Sequence, residues 1–151
     1  YKVNPGSLSL EAQMLEAVRV QHELDDEGMP NWLTGEGKSV GSFYDAARTS
    51  ALQNAQNELV RVMETDMAAI ATNTIVAKQQ TTSKTDDVNK ITQEAKSRIG
   101  KRLPRVRILT EAYREMPGGK VECLLRIGIT QKAARNAAST LIEELVSGDG
   151  K

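Results

Sequence analysis

Apolar residues recur at every second position in Val121-Glu-Cys-Leu-Leu-Arg-Ile-Gly-Ile129, where Val121, Cys123, Leu125, Ile127 and Ile129 share one side. That period places five apolar side chains on one face of a β-strand. Upstream, Arg105 to Arg114 carries Val106, Ile108, Thr110 and Ala112 at the same spacing, and Met116-Pro-Gly-Gly119 separates the two runs. The pair predicts a β-hairpin with one apolar face. Asn31 to Val40 reads as a further strand, with Gly35 and Gly37 on one side of it. Glycines so placed mark close approach by another backbone.

Elsewhere the period lengthens. From Tyr44 to about Lys78 there is no Gly or Pro, and Ala47, Ala51, Ala55, Leu59, Val62 or Met63, and Ile70 recur at spacings near four. This is a long helix whose alanine stripe lets it lie low over Gly35 and Gly37. At 1.5 Å per residue it spans about 50 Å. A first helix is expected over about 8–20, with Leu10, Met14, Ala17 and Val18 inward and Ser7 or Ser9 as its cap. Asp25 to Pro30 is a turn that uses Gly28 at positive φ. A polar link at 79–83 precedes a helix with a capping box at Ser83 to Asp86 and a stripe of Val88, Ile91, Ala95 and Ile99. A last helix from about Thr130 to Val146 turns Ala134, Ala137, Ala138, Leu141 and Leu145 inward.

The expectation is a single α+β domain over 1–151. Its antiparallel sheet of about three strands is packed on one face by the long helix and the C-terminal helix. Residues 1–7 and 147–151 form flexible ends.

Composition narrows the chemistry. The chain has 151 residues, is 39% hydrophobic and only 3% aromatic, and balances 20 basic against 20 acidic residues. A zero formal charge supplies no overall field toward nucleic acid or an anionic membrane. One cysteine, Cys123, excludes an internal disulfide and sits among the apolar strand positions as a small core residue. One histidine, His22, stands far from it in sequence, so no nucleophile–base pair is indicated. No apolar run reaches the ~20 residues of a membrane span. The sequence opens on Tyr1 instead of Met, so a trimmed or mature chain is expected, one in which an upstream targeting segment or lipid-anchor cysteine would not show.

Three motifs invite chemistry and fall short. Gly35-Glu-Gly-Lys-Ser39 lacks the leading glycine of a phosphate loop, because Trp32 stands there; the third glycine of a dinucleotide fingerprint is displaced to Gly41. Asp25-Asp-Glu-Gly28 lacks the alternating oxygen ligands of a calcium loop, with Met29 where one belongs. No His/Cys cluster suits zinc. No catalytic residue, cofactor or metal is therefore assigned. The basic run of Lys96, Arg98, Lys101, Arg102, Arg105 and Arg107 reads as a solvated helix end. Its alternative is a patch for an anionic polymer, nucleic acid or cell-wall polymer, with Arg98, Lys101, Arg102, Arg105 and Arg107 as the binding residues.

The order of parts resembles a family of small bacterial envelope lipoproteins, named for a twenty-kilodalton outer-membrane lipoprotein. The resemblance is carried by Pro30-Asn-Trp32, Gly35-Glu-Gly37, Tyr44-Asp-Ala-Ala-Arg48, the alanine-striped run Ala51 to Leu59 and the strand Val121 to Ile129, and covers roughly residues 15–145. It implies a periplasm-facing or outer-membrane-anchored protein with no catalytic residues. Such a protein acts through contact with a protein partner or with itself, and any membrane attachment runs through an upstream lipid anchor.

Overall fold

The five alternating apolar residues near the C-terminus do form a strand, and it is the central one. In the computed structural model, which describes residues 1–78 and 85–148, β3 (Lys120–Thr130) lies between β1 (Trp32–Gly41) and β2 (Arg107–Met116), and both pairings are antiparallel. The helices are α1 (Leu10–His22), α2 (Tyr44–Ala77), α3 (Thr85–Arg102) and α4 (Gln131–Ser147). The α+β class expected from the two periodicities is thus the one observed. The link at 79–83 and the cap at Ser83 lie outside the described residues; of the tail expected over 147–151, Ser147 instead closes α4 and residues 149–151 lie outside them.

By contacts the chain divides into two compact units, each built from discontinuous segments. The first comprises residues 1–59 and 105–131 and holds the sheet, α1 and the first half of α2. The second comprises residues 60–104 and 132–151.

In the first unit the glycine expectation holds closely. A Cβ added to Gly37 would stand 2.1 Å from the Ala51 carbonyl oxygen, and one added to Gly35 2.5 Å from that of Ala55. Only Gly lets α2 descend this far, which brings Ala47 and Ala51 onto Cys123 and Leu125, all fully buried. Tyr44, Leu52 and Tyr113 close the margin of this cluster.

The opposite face of the sheet is covered at one end by α1. Ala17 and Val20 bury against Leu109, with Trp32 beside them. Gly128 lies beneath, and a Cβ there would meet Leu109 and Trp32 at 3.2 and 3.3 Å. Ser9 caps α1 by accepting from the Ala12 N–H at 3.2 Å. The inward side of α1 differs from the expected stripe. Gln13, Ala17 and Val20 are buried, whereas Met14 and Val18 face solvent. A wider apolar stripe than one sheet end can cover leaves part of it outside.

β2 also departs from its alternation. A bulge between Ile108 and Thr110 shifts the register, so Glu111 and Tyr113 pair with Leu125 and Cys123 on the α2 side. Thr110 and Ala112 instead pair with Arg126 and Leu124, on the other side. Thr110 and Ala112, expected on one face with Ile108, therefore point away from Cys123, while Ile108 pairs with Ile127 and is exposed.

The start of the chain, expected to be loose, is bonded to the outer edge of β2. Lys2 N–H donates to Tyr113 O at 2.6 Å and Tyr113 N–H to Lys2 O at 2.9 Å. Asn4 to Ser7 then forms the expected turn, with the Ser7 N–H on Asn4 O at 3.0 Å.

In the second unit the buried line of α2 continues at spacing four through Met63, Met67, Ala71 and Ile75. Of the expected alternatives, Met63 is inside and Val62 is exposed. Ala95 and Ile99 of α3 and Ala134, Ala138, Leu141 and Ile142 of α4 are buried with them. Ion pairs tie these segments: Lys96 to Glu64 at 3.1 Å, Arg135 to Asp66 at 3.5 Å and Arg102 to Glu144 at 2.6 Å.

Candidate functional site

Two features of the first unit are candidates: a clamped carboxylate and an apolar ridge. The carboxylate is Glu111, which the β2 bulge turns under the start of α2. Arg48 Nε donates to its Oε2 at 3.1 Å and Arg48 Nη2 to its Oε1 at 3.3 Å. Asn4 Nδ2 donates to the same Oε2 at 3.2 Å and to Tyr44 Oη at 2.8 Å, and the Tyr44 hydroxyl itself donates to Glu111. The backbone N–H of Glu111 is held by Gln13 Oε1 at 2.7 Å. Tyr113 stands edge-on to Tyr44, ring centroids 5.4 Å apart.

The ionisation of this group follows from its packing. Burial pushes the Glu111 carboxyl up, and the hydrogen bonds from Arg48 and Tyr44 more than offset it, so it ionises below the ordinary carboxylate value. Burial, then the bond to Glu111, pushes Tyr44 up to about 12. Burial likewise raises the Cys123 thiol beneath them, with the Glu111 charge adding to it. A raised thiol is the opposite of what a nucleophilic cysteine needs. Together these bonds pin the N-terminal segment, α1, α2 and β2 to one another. Sequence reading missed it because three of its members look like ordinary helix and strand polar residues. No residue pattern signalled it, because Glu111 falls on the polar side of the alternation expected for 106–112.

The apolar ridge runs along the outside of α1. Leu15 is 66% exposed, Leu8 63%, Met14 53% and Val18 48%. Leu10, Met14, Leu15 and Val18, with Glu11, line one shallow groove of about 410 Å3. Beyond the helix, Leu24 and Met29 also face solvent. Charges border the ridge: Arg19 bonds Glu16 and Glu23, and Arg19 with Arg107 holds the Glu16 carboxyl down to about 2.

The remaining candidates of the sequence fall as follows. Among the basic residues, Arg98, Lys101 and Arg102 lie on α3 in the second unit, whereas Arg105 and Arg107 belong to the first. Arg98 pairs with Glu94, Arg102 with Glu144 through two oxygens, and Arg107 with Glu16 while lying 5.9 Å above the Trp32 ring. The structure thus commits three of the five to carboxylates. His22 is exposed, with Nδ1 at 2.9 Å from Val18 O. Asp25 accepts from the Glu27 and Met29 N–H groups at 2.9 Å, which makes it the organiser of its own turn. Trp32 donates from Nε1 to Glu23 at 2.7 Å, so the indole is a packing residue with its polar edge satisfied. Among the described residues no group of His, Cys, Asp and Glu could hold a metal ion, and no helix is long and apolar enough to cross a membrane.

No protein-family model matches the chain, and no curated protein or solved structure matches it.

Proposed function

We propose that this chain is a non-catalytic interaction domain of the bacterial cell envelope, that it works by protein–protein contact, and that α1 is its docking element. The observation that carries this is the exposed ridge of Leu8, Met14, Leu15 and Val18. Burying each such side chain is worth about 1.5–3 kcal/mol, and three on one short helix, with Leu8 just before its cap, forgo that gain in the isolated chain. Large apolar patches rimmed by charge mark protein contact sites. The clamped Glu111 supports the same view, because its partners hold α1 firmly in place and leave the outward face rigid. The envelope setting rests on the family resemblance. The carboxylate partners of Arg98, Arg102 and Arg107 leave the anionic-polymer alternative with less support.

The test is a photo-crosslinking amino acid at Leu15, compared with one at Lys120 on the hairpin, in cells that make the protein. A discrete protein adduct from position 15 that disappears in a Met14→Asp/Val18→Asp background is the expected result. Adducts of equal yield from both positions, or purified protein that turns over a cell-wall or nucleotide substrate and loses the activity on a point mutation, would overturn the proposal.

A further inference from the structure

A second exposed surface, away from the α1 ridge, is the outer edge of β1. Gln131 N–H donates to Asn31 O at 2.9 Å in register with the β1–β3 ladder. Hydrogen-bonded residues alternate in an antiparallel ladder, so the odd-numbered residues of β1 turn their backbone groups to β3. The even-numbered residues Thr34, Glu36, Lys38 and Val40 turn theirs outward. Asn54 agrees with that assignment, since its Nδ2 reaches round from α2 to cap Lys38 O at 2.9 Å. The other edge of the sheet is occupied, with Lys2 on Tyr113 and Gln13 on Glu111. Among the described residues, β1 is thus the edge to which a further strand can add.

Its side chains are self-complementary. With two copies of β1 antiparallel about a twofold axis at Gly37, Glu36 stands opposite the second copy's Lys38 and Thr34 opposite the second copy's Val40. Each pairing occurs twice. Sliding by two residues either way, as the backbone requires, sets Glu36 against Glu36 or Lys38 against Lys38. On the α2 side Gly37 meets Gly37 and Gly35 meets Ser39, so no large side chain of the strand stands in the way, and Asn54 of each copy has to swing clear of the edge it now caps. Glu36, Lys38 and Val40 are all exposed; Glu36 already holds Arg126 at 2.7 Å, so the lysine of the second copy adds a second cation to that carboxylate, beside a polar groove of about 310 Å3 lined by Gln21, Thr34, Glu36, Glu58 and Arg126.

The geometry points to a homodimer in which two copies join edge to edge through β1, making one continuous six-stranded sheet. The pairing forms about eight backbone hydrogen bonds, two for each hydrogen-bonded residue pair. Lys38 O exchanges the Asn54 amide for the Glu36 N–H of the second copy. This contact uses none of the α1 ridge, so the two proposals can fail separately.

Sedimentation velocity from about 1 μM to about 1 mM, the range in which modest interfaces assemble, is the first measurement. The expected result is a species of twice 16.5 kDa. Thr34→Pro removes an outward N–H that β3 does not use, so the chain folds and stays monomeric. Lys38→Glu and Glu36→Lys each set like charges opposite one another and weaken the dimer about tenfold or more. Mixing these two variants restores opposite charges at every pair, and the heterodimer forms with near wild-type affinity. A monomer throughout the range, a dimer indifferent to these charges, or a mixture no tighter than its components would overturn the inference. Should Thr34→Pro fail to fold, the charge pair decides alone.

Discussion

Gly37 meets Ala51 backbone to backbone: a Cβ on the glycine would lie 2.1 Å from the Ala51 carbonyl oxygen and 2.5 Å from the Ala55 nitrogen. No side-chain rotation relieves such a clash, because both neighbours are main chain of one helix. Gly37→Ala should therefore cost about 3 kcal/mol or more by forcing α2 off the sheet. Gly100→Ala provides the contrast, since nothing lies within 4 Å of its added Cβ and the site is helical. That change should stabilise by up to about 1 kcal/mol. Urea unfolding midpoints read both, and a neutral Gly37→Ala would refute the close approach of α2.

Thr110 is 4% exposed and its hydroxyl is buried without a hydrogen-bond partner. Removing an unsatisfied polar atom while keeping the shape removes its desolvation cost. Thr110→Val should raise stability by about 1 kcal/mol, measured by thermal or urea unfolding. A loss of that size would mean that the hydroxyl has a partner in solution.

The Tyr44–Glu111 pair sets limits at both ends of the pH scale. Tyr44 is raised from its ordinary 10.0 to about 12, so its stabilising effect is complete below pH 10 and is lost as the pH climbs through about 12. Glu111 is depressed from its ordinary 4.5, so its effect is present above that value and is lost as the pH falls through the lower folded one. Tyr44→Phe should flatten the alkaline limb of a Tm-against-pH profile, and Glu111→Gln the acid limb. Parallel profiles for wild type and both variants would show that the cluster does not hold these groups.

The two sides of α1 should respond oppositely to truncation. Val20 is fully buried against Leu109 and Trp32, so Val20→Ala should cost about 1–2.5 kcal/mol. Leu15 is 66% exposed, so Leu15→Ala should change stability by no more than about 0.5 kcal/mol. Equal losses at the two positions would place the ridge inside the fold.

Much of this architecture was legible in the residue pattern. The period of two in β3 and the i,i+4 alanines facing two strand glycines are signals that one chain segment carries by itself, and both emerged as read. Where the sequence misled, the deciding contact was distant. Thr110 and Ala112 kept a perfect alternation with Ile108, yet one extra residue in the ladder reversed their side, and a bulge leaves no mark in polarity. Met14 and Val18 fitted an inward stripe as well as Val20 did. The choice between them was made by where Leu109 and Trp32 lie, some ninety and a dozen positions further along. The Glu111 cluster joins residues near both ends of the first unit, and no local spacing announces it. Of the basic run, the charges were plain, while the glutamates that neutralise Arg102 and Arg107 stand far away in sequence.

Trp32 donates to Glu23, lies beneath Arg107 and packs on Ala17 and Val20, and it is the sole tryptophan of the chain. The molecule therefore carries its own fluorophore at the root of the helix proposed to dock. Emission from that one indole can follow a partner settling on α1 without any label, and acidification that protonates Glu23 gives the calibration for how far the spectrum moves.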